Sequence, residues 1–333
     1  MNRWPVSLND ITRLQIEINS FCNADCPSCE RASYFEEEND IYKKPLNKSQ
    51  LSFNDLKKWL DYDFNELQSI HFCGNIDEPS LHKELVDICK YFTQKYPKIF
   101  CNISTNGGTR NEKFWSELGK INRVNCIFGI DGLEDTNHIY RKNIKWKKLE
   151  KNFRAFINSG GVAIWQFIVF EHNKHQIEEA KELSKKENFK IFQTKYSGRE
   201  NKEVKSVLHE KLISEKIKCK ATYHNIELEK SFFIDSTANV WPCCWMATAK
   251  HKRQFANVIG NKFSYYLSNN LKYNTFDEVI ESDMFSYLYK SFNKLDVCNT
   301  MCKQNSTDFD TFETDDEEIK KIIQERADFL NEM

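Results

Sequence analysis

"NSFCNADCPSCER", Asn19–Arg31, places Cys22, Cys26 and Cys29 within eight residues, directly after the apolar run "LQIEI" of Leu14–Ile18. The run reads as a strand and the cysteines as the loop that leaves it. A structural zinc site closes with four ligands, commonly from two paired motifs, and this loop supplies three thiols. An iron–sulfur cluster is normally held by four thiolates, so three would leave one iron open to another ligand. The missing fourth cysteine is therefore the functional hint.

Outward from that loop, short apolar runs alternate with segments of helical period as far as Thr194. Strands are predicted at Leu14–Ile18, Ser69–Cys73, Ile99–Ser104, Arg123–Ile130, Val162–Phe170 and Lys190–Thr194, rich in Ile, Val and Phe as strands covered on both faces should be. Helices are predicted at Phe53–Leu60, opened by the cap pattern Ser52 to Asp55, and at Lys83–Lys95, Glu112–Leu118, Lys145–Ile157 and His175–Lys186. Such alternation folds as a parallel sheet with right-handed crossovers, and six strands suggest a barrel left partly open. The fold class expected is α/β, a partial (β/α)6 barrel over residues 1–200 followed by a smaller α+β domain over 201–333.

The second domain is signalled by a change of texture. "RENKEVKSVLHEKLISEKIKCK" is charged and helical, and "SFFIDSTANVWPCCW" reads as strand, polar turn, strand. "TFDEVIESDMFSYLYKSF" reads as one helix, and "DFDTFETDDEEIKKIIQERADFL" as an acidic entry into a terminal helix.

Composition narrows the function classes. Lys plus Arg (48) nearly balances Asp plus Glu (49), so no whole-chain field favours nucleic acid or an anionic membrane. "MNRWPVSLND" lacks the apolar core of a signal peptide, and no run approaches the roughly 20 apolar residues of a membrane span, so a soluble cytoplasmic protein is expected. Twelve cysteines in a reducing compartment point to metal or redox chemistry rather than a disulfide framework.

"CNADCPSC", a C-x3-C-x2-C pattern after the first strand, resembles the signature of the radical S-adenosylmethionine (SAM) superfamily. The resemblance implies that Cys22, Cys26 and Cys29 hold a 4Fe-4S cluster whose open iron chelates SAM. It further implies reductive cleavage of SAM to a 5'-deoxyadenosyl radical that abstracts hydrogen from substrate. Ser28 stands where the family often has an aromatic residue. "FCGNIDEP", Phe72–Pro79, is similar to the family's Gly-Gly-Glu-Pro loop that receives the methionine amine; it keeps Gly74, Glu78 and Pro79, while Ile76 and Asp77 replace the two glycines. "STNGG", Ser104–Gly108, looks like the turn near the SAM sugar, which assigns Ser104 and Asn106 as contacts. "GIDGLEDTNHIYR", Gly129–Arg141, resembles a Ser-x-Asp-Gly segment with Gly129 in place of serine, which assigns Asp131. Arg141 has two readings, a forked partner for the SAM carboxylate or a charge on a surface helix. Gln166 either points into the barrel toward the cofactor or forms a cross-strand amide pair.

The distal cysteines resemble the twitch domain, a short relative of the SPASM domain. That resemblance assigns Cys219, Cys243, Cys298 and Cys302 to an auxiliary 4Fe-4S cluster and leaves Cys244 as a packing thiol; a four-cysteine zinc knot is the rival. Cys73, Cys89, Cys101 and Cys126 read as small buried hydrophobes, and His71 and His138 as hydrogen-bonded structural residues. An apolar barrel lumen would keep the radical from water. The expected activity is redox modification of a peptide or protein side chain, or else oxidation of a small molecule such as an aminocyclitol, with flavodoxin or ferredoxin as electron donor; a zinc-stabilised binding protein is the non-enzymatic alternative. Only 21 residues precede Cys22, so a peptide-recognition segment is expected on a separate protein.

Overall fold

A computed structural model describes residues 7–33, 48–196, 201–207, 230–248, 268–291, 295–301, 311–317 and 320–321. The first strand, β1 (Ile11–Ile16), buries Leu14 and Ile16 on one face and leaves Arg13 and Gln15 half-buried on the other. The same alternation recurs in β2 (Ser69–Phe72), β3 (Phe100–Thr105), β4 (Val124–Gly129) and most of β5 (Val162–Val169), whereas β6 (Ile191–Tyr196) buries Phe192, Gln193 and Thr194 in succession. Each strand pairs in parallel with the one before it.

Parallel neighbours need crossovers. Helices α1 (Glu30–Ser33) and α2 (Phe53–Trp59) lie between β1 and β2, then α3 (Leu85–Lys95), α4 (Glu112–Gly119), the pair α5 (Asn137–Tyr140) and α6 (Trp146–Asn158), and α7 (Ile177–Lys186) serve the rest. Local chemistry sets the starts: Ser52 accepts the Asp55 N–H at 3.1 Å to open α2, and Asn111 accepts the Phe114 N–H at 3.1 Å to open α4. The outward strand face packs on these helices through Phe72, Ile103, Phe128, Trp165 and Phe192, joined by Trp115, Phe153 and Phe156. Burying one such aromatic side chain contributes on the order of 2–3 kcal/mol.

Strands continue beyond β6. β7 (Lys230–Ile234) pairs in parallel with β1 on its free edge, and β8 (Val240–Trp241) turns back antiparallel to β7. β9 (Thr311–Glu313) pairs antiparallel with the other edge at β6, giving the order β8-β7-β1-β2-β3-β4-β5-β6-β9 in this partial barrel. The hairpin read from "SFFIDSTANVWPCCW" thus shares the barrel's sheet. Phe232 and Ile234 belong to the main core, whereas Phe233 and Trp241 face a second apolar cluster with Met284, Leu288 and Leu295.

Two expectations change and a third gains a strand. Within the acidic stretch read as a helix entry, Thr311–Glu313 forms β9, because the β6 edge offers ladder partners and Lys181 and Lys185 offer charge to Glu313 and Asp315, before Asp315 and Asp316 lead into helical residues at Glu317, Lys320 and Lys321. The helix read across "TFDEVIESDMFSYLYKSF" is two, Phe276–Ile280 and Asp283–Ser291, the first ending where the Glu281 N–H returns to Asp277 O. The lumen is mixed rather than purely apolar. Many apolar strand residues face the helices, and alternation turns Arg13, Gln15, His71, Asn102, Ser104, Asn125, Gln166, Gln193 and Lys195 inward together with Ile127, Ile164 and Ile168.

Candidate functional site

β1, β2 and β3 end side by side, so the loops that leave them share one pole of the barrel. The β1 loop carries the three cysteines, with Cys26 buried and Cys22 and Cys29 half-buried. Ser28 adopts a left-handed φ of 59°, and the Cys29 N–H donates to Cys26 O at 3.2 Å, doubling the chain back between these two thiols. Arg31 Nη1 donates to Ser20 O at 2.7 Å and to Ile76 O at 3.1 Å, fastening this loop to the next.

Burial, then the Glu78 carboxylate, push the Cys22 thiol up to about 12 against the pull of the Ala24 N–H, with smaller pushes from the neighbouring Cys26 and Cys29 thiols. The three sulfurs therefore lie within one another's field, and as thiolates they would repel. Iron offsets that charge and takes the place of the thiol protons, so this donor set fits a cluster bound through Cys22, Cys26 and Cys29. Among the described residues no three His, Cys, Asp or Glu side chains gather closely enough to hold a single metal ion. A four-iron cluster sets a different requirement, since each thiolate binds its own iron.

The β2 loop is built around carboxylates where glycines were expected. Glu17, at the end of β1, accepts the Asn75 N–H at 2.6 Å and the Ile76 N–H at 3.1 Å. Asp77 Oδ1 accepts the Gly74 N–H at 2.8 Å. A Cβ on Gly74 would lie 2.3 Å from Glu17 Cγ and 2.6 Å from Asp77 Oδ1, so glycine is required there. Asp77 Oδ2 is buried with no hydrogen-bond partner, and burial, then the charge of Glu17, holds this acid well above the usual carboxylate range.

Glu78 joins the second loop to the third. Its Oε1 accepts the Ser80 N–H at 3.1 Å, the Ser80 hydroxyl at 2.6 Å and the Thr105 hydroxyl at 2.6 Å; its Oε2 accepts the Asn106 N–H at 2.7 Å. Pro79 is buried at the start of the short 3-10 turn that follows. Asn106 Nδ2 donates to Asn23 Oδ1 at 2.9 Å and approaches Cys22 Sγ at 3.9 Å, so Glu78 supports the cysteine loop through Asn106.

Arg141 is neither a surface charge nor an unengaged fork. Its Nε donates to Asp131 Oδ2 at 2.6 Å, its side chain is 17% exposed and that of Asp131 is fully buried. Burial opposes the guanidinium charge, yet Asp131, then the Cys26 thiol, raise its pKa above the ordinary value. Asp131 Oδ1 accepts the Ile168 N–H at 2.6 Å, so both carboxylate oxygens of Asp131 are engaged within the protein. Gly129 explains its own departure from serine: a Cβ there would meet Arg141 Nη2 at 2.3 Å.

Ser104 and Gln166 sit on the inner face. Ser104 Oγ bonds His71 Nε2 at 2.9 Å, and Gln166 Nε2 donates to Gln193 Oε1 at 3.2 Å, so the inward and amide-pair readings of Gln166 both describe it. Cys89, Cys101 and Cys126 are fully buried hydrophobes, but Cys73 is a lumen residue, near Ser104, Asp77 and Lys195. In the C-terminal region Cys243 and Cys298 border the second apolar cluster together with Cys244, while Cys219 and Cys302 lie outside the described residues. Asn75 Nδ2 donates to Cys244 O at 2.8 Å, tying that region to the pole. Sequence reading missed Glu17 and Asn75 and took Asp77 only as a replaced glycine; the signal for Glu17 was a carboxylate inside the apolar run "LQIEI", where burial requires partners.

Comparison with known proteins follows from this geometry. Residues 16–184 match the family model described as the radical SAM superfamily. A curated relative from Pyrococcus furiosus, a tungsten-containing aldehyde ferredoxin oxidoreductase cofactor-modifying protein, is 28% identical over 126 residues, 38% of this chain and 32% of its own length. Thus the match spans about a third of that relative. Among solved structures, Streptococcus suis SuiB bound to precursor peptide SuiA superposes with a TM-score of 0.59 at 14% identity, over 87% of this chain and 71% of SuiB. Native anSMEcpe with bound AdoMet and Kp18Cys peptide gives 0.55 at 15% identity, over 87% and 84%. At these identities the two structures speak to fold.

Proposed function

This chain belongs to the radical SAM superfamily, and on that premise we propose that it is a peptide- or protein-modifying enzyme whose Cys22, Cys26 and Cys29 hold a SAM-binding 4Fe-4S cluster. The observation that carries the reading is the position of those cysteines: one loop at the C-terminal end of β1, cross-braced by Arg31 and Asn106 to its neighbours. When bound, the cluster and SAM supply a one-electron cleavage that yields a 5'-deoxyadenosyl radical able to take hydrogen from substrate.

The chain's own residues build the seat. Gly74 admits the close approach of Glu17 and Asp77, and Asp77 Oδ2 is an unsatisfied buried oxygen within the loop assigned to the methionine amine. Glu78 positions Asn106 rather than reaching outward, and Asp131 positions Arg141 beside Cys26. Ser104 and Gln166 line the chamber.

Residues 1–200 form the catalytic barrel in this reading, and 201–333 a twitch-like module in which Cys219, Cys243, Cys298 and Cys302 hold an auxiliary 4Fe-4S cluster. Support comes from Cys243 and Cys298 bordering one apolar cluster. The peptide preference is supported by the peptide-bound state of the two solved structures of similar fold. The test is anaerobic reconstitution with iron and sulfide analysis, then incubation of the reduced enzyme with SAM and candidate peptides. About eight irons per chain, 5'-deoxyadenosine, and its deuteration from labelled peptide are expected. Zinc without sulfide would overturn the assignment.

A further inference from the structure

Resemblance assigns Asn106 to SAM, yet its side chain is committed elsewhere. Asn106 Oδ1 accepts the Gly108 N–H at 2.8 Å, and the Asn106 backbone N–H donates to Glu78 Oε2 at 2.7 Å. An amide whose oxygen is taken by a backbone donor must turn its NH2 the other way, which fixes the orientation of the group. On that side Nδ2 donates to Asn23 Oδ1 at 2.9 Å and lies 3.9 Å from Cys22 Sγ, within reach of its second hydrogen.

The turn that carries Asn106 is locked. Gly107 has a left-handed φ of 66°, and a Cβ on it would lie 2.5 Å from Leu149 Cδ1. Asn152 Nδ2 donates to Gly107 O at 2.7 Å and to Thr109 O at 2.8 Å. Asn106 is buried, and reaching outward would break its bonds to Asn23 and Gly108. The thiols of the loop also differ in what they face. The Ala24 N–H joins Asn106 Nδ2 at Cys22, whereas Cys29 Sγ lies 4.0 Å from a carbonyl, Asn75 O. Once iron takes the place of its proton, Cys22 Sγ can only accept, so two N–H groups then face a buried thiolate.

We propose that the Asn106 carboxamide is a hydrogen-bond donor to the Cys22 thiolate rather than a contact of SAM, and that it raises the reduction potential of the cluster held there. The inference rests on the radical SAM reading above. A donor aimed at a ligating sulfur favours the form of the cluster that carries the extra electron, because its sulfurs are then more negative. Asn106 acts through Cys22 and is a positioning residue.

The test is a redox titration of the reconstituted full-length protein without SAM. Dithionite supplies one electron per cluster, electron paramagnetic resonance reads the reduced form, and the signal that later addition of SAM perturbs identifies this cluster. Asn106→Asp keeps the shape and the acceptor for the Gly108 N–H but removes the donor; Asn23→Asp adds the same charge beside Cys22 and keeps the donor. Asn106→Ala removes the donor without adding charge. Asn106→Ala is expected to make reduction about tenfold less favourable, ~59 mV more negative for a one-electron couple, and Asn106→Asp to exceed the shift of Asn23→Asp. SAM affinity of the oxidised protein, read by isothermal titration, is expected to stay within about twofold of wild type in Asn106→Ala. The proposal is overturned if the potential of Asn106→Ala matches wild type, if Asn106→Asp shifts no further than Asn23→Asp, or if Asn106→Ala loses SAM affinity at unchanged potential. Iron and sulfide analysis separates the two readings: wild type without a cluster overturns the radical SAM reading itself, and normal iron with an unmoved potential overturns the role of Asn106 alone.

Discussion

Replacing Glu78 by glutamine exchanges one carboxylate oxygen for an NH2 group at a buried junction and should loosen the whole pole. The carboxylate is 2% exposed and accepts from two backbone donors, Ser80 N–H on Oε1 and Asn106 N–H on Oε2. A glutamine amide must place its NH2 toward one of them. With the NH2 at the Oε2 position it faces the Asn106 N–H, donor against donor. Reversed, it faces the Ser80 N–H, although the Ser80 and Thr105 hydroxyls there can rotate to accept. Either orientation forfeits one charge-assisted bond and strands a backbone donor, so Glu78→Gln should destabilise by about 2–4 kcal/mol. Equilibrium urea unfolding of wild type and variant, read as a shift in midpoint at unchanged slope, measures it. A variant within about 0.5 kcal/mol of wild type would refute the view that this carboxylate is the structural link between the second and third loops.

Gly129→Ala should displace the tip of the Arg141 guanidinium and weaken its pair with the fully buried Asp131, costing about 1–3 kcal/mol; thermal unfolding at neutral pH checks it, and an unchanged midpoint would show that Arg141 sidesteps the new methyl freely. Asp77 is raised above its ordinary 3.8, so in the native state it keeps a proton that the unfolded chain releases. Its stabilising effect is complete below that value and is lost as pH rises toward the native pKa. Asp77→Asn should therefore gain stability over wild type as pH climbs from 4 to 7, and a pH-independent difference would contradict the buried-acid assignment. Iron analysis after reconstitution should give about four irons per chain for Cys26→Ala and for Cys243→Ala, against about eight for wild type and for Cys244→Ala; loss of iron in the last variant would exchange the two assignments.

Much of the barrel was legible because strand and helix periods differ and the chain keeps them apart. Val162–Phe170 contains β5, Glu112–Leu118 is α4 short of one residue, and the cysteine loop follows β1 as its spacing implied. What stayed illegible depends on partners distant in sequence. Thr311–Glu313 becomes a strand only because β6 ends the sheet with an open edge. Arg141 looked ambiguous because its burial comes from Gly129 and Asp131, ten or more residues back. Cys73 looked like a packing thiol because parity along a four-residue strand does not tell which face is the lumen until the neighbours are placed.

The two buried glutamates show why the motif can depart from its two glycines without losing the pole. Where parallel strands end, their loops leave the ladder, and every buried backbone N–H there needs an acceptor. Glu17 supplies one for Asn75 and Ile76, and Glu78 supplies others for Ser80 and Asn106. Once a carboxylate holds those N–H groups, the loop's path depends less on glycine's freedom and more on that anchor, and only Gly74, pressed against Glu17, remains indispensable. Asp77 then occupies space that a glycine would leave open, with its Oδ1 on the Gly74 N–H and its Oδ2 buried without a hydrogen-bond partner. The substitution thus adds a carboxyl at the pole, while the acceptor that holds the Asn75 and Ile76 N–H groups comes from Glu17, outside the motif.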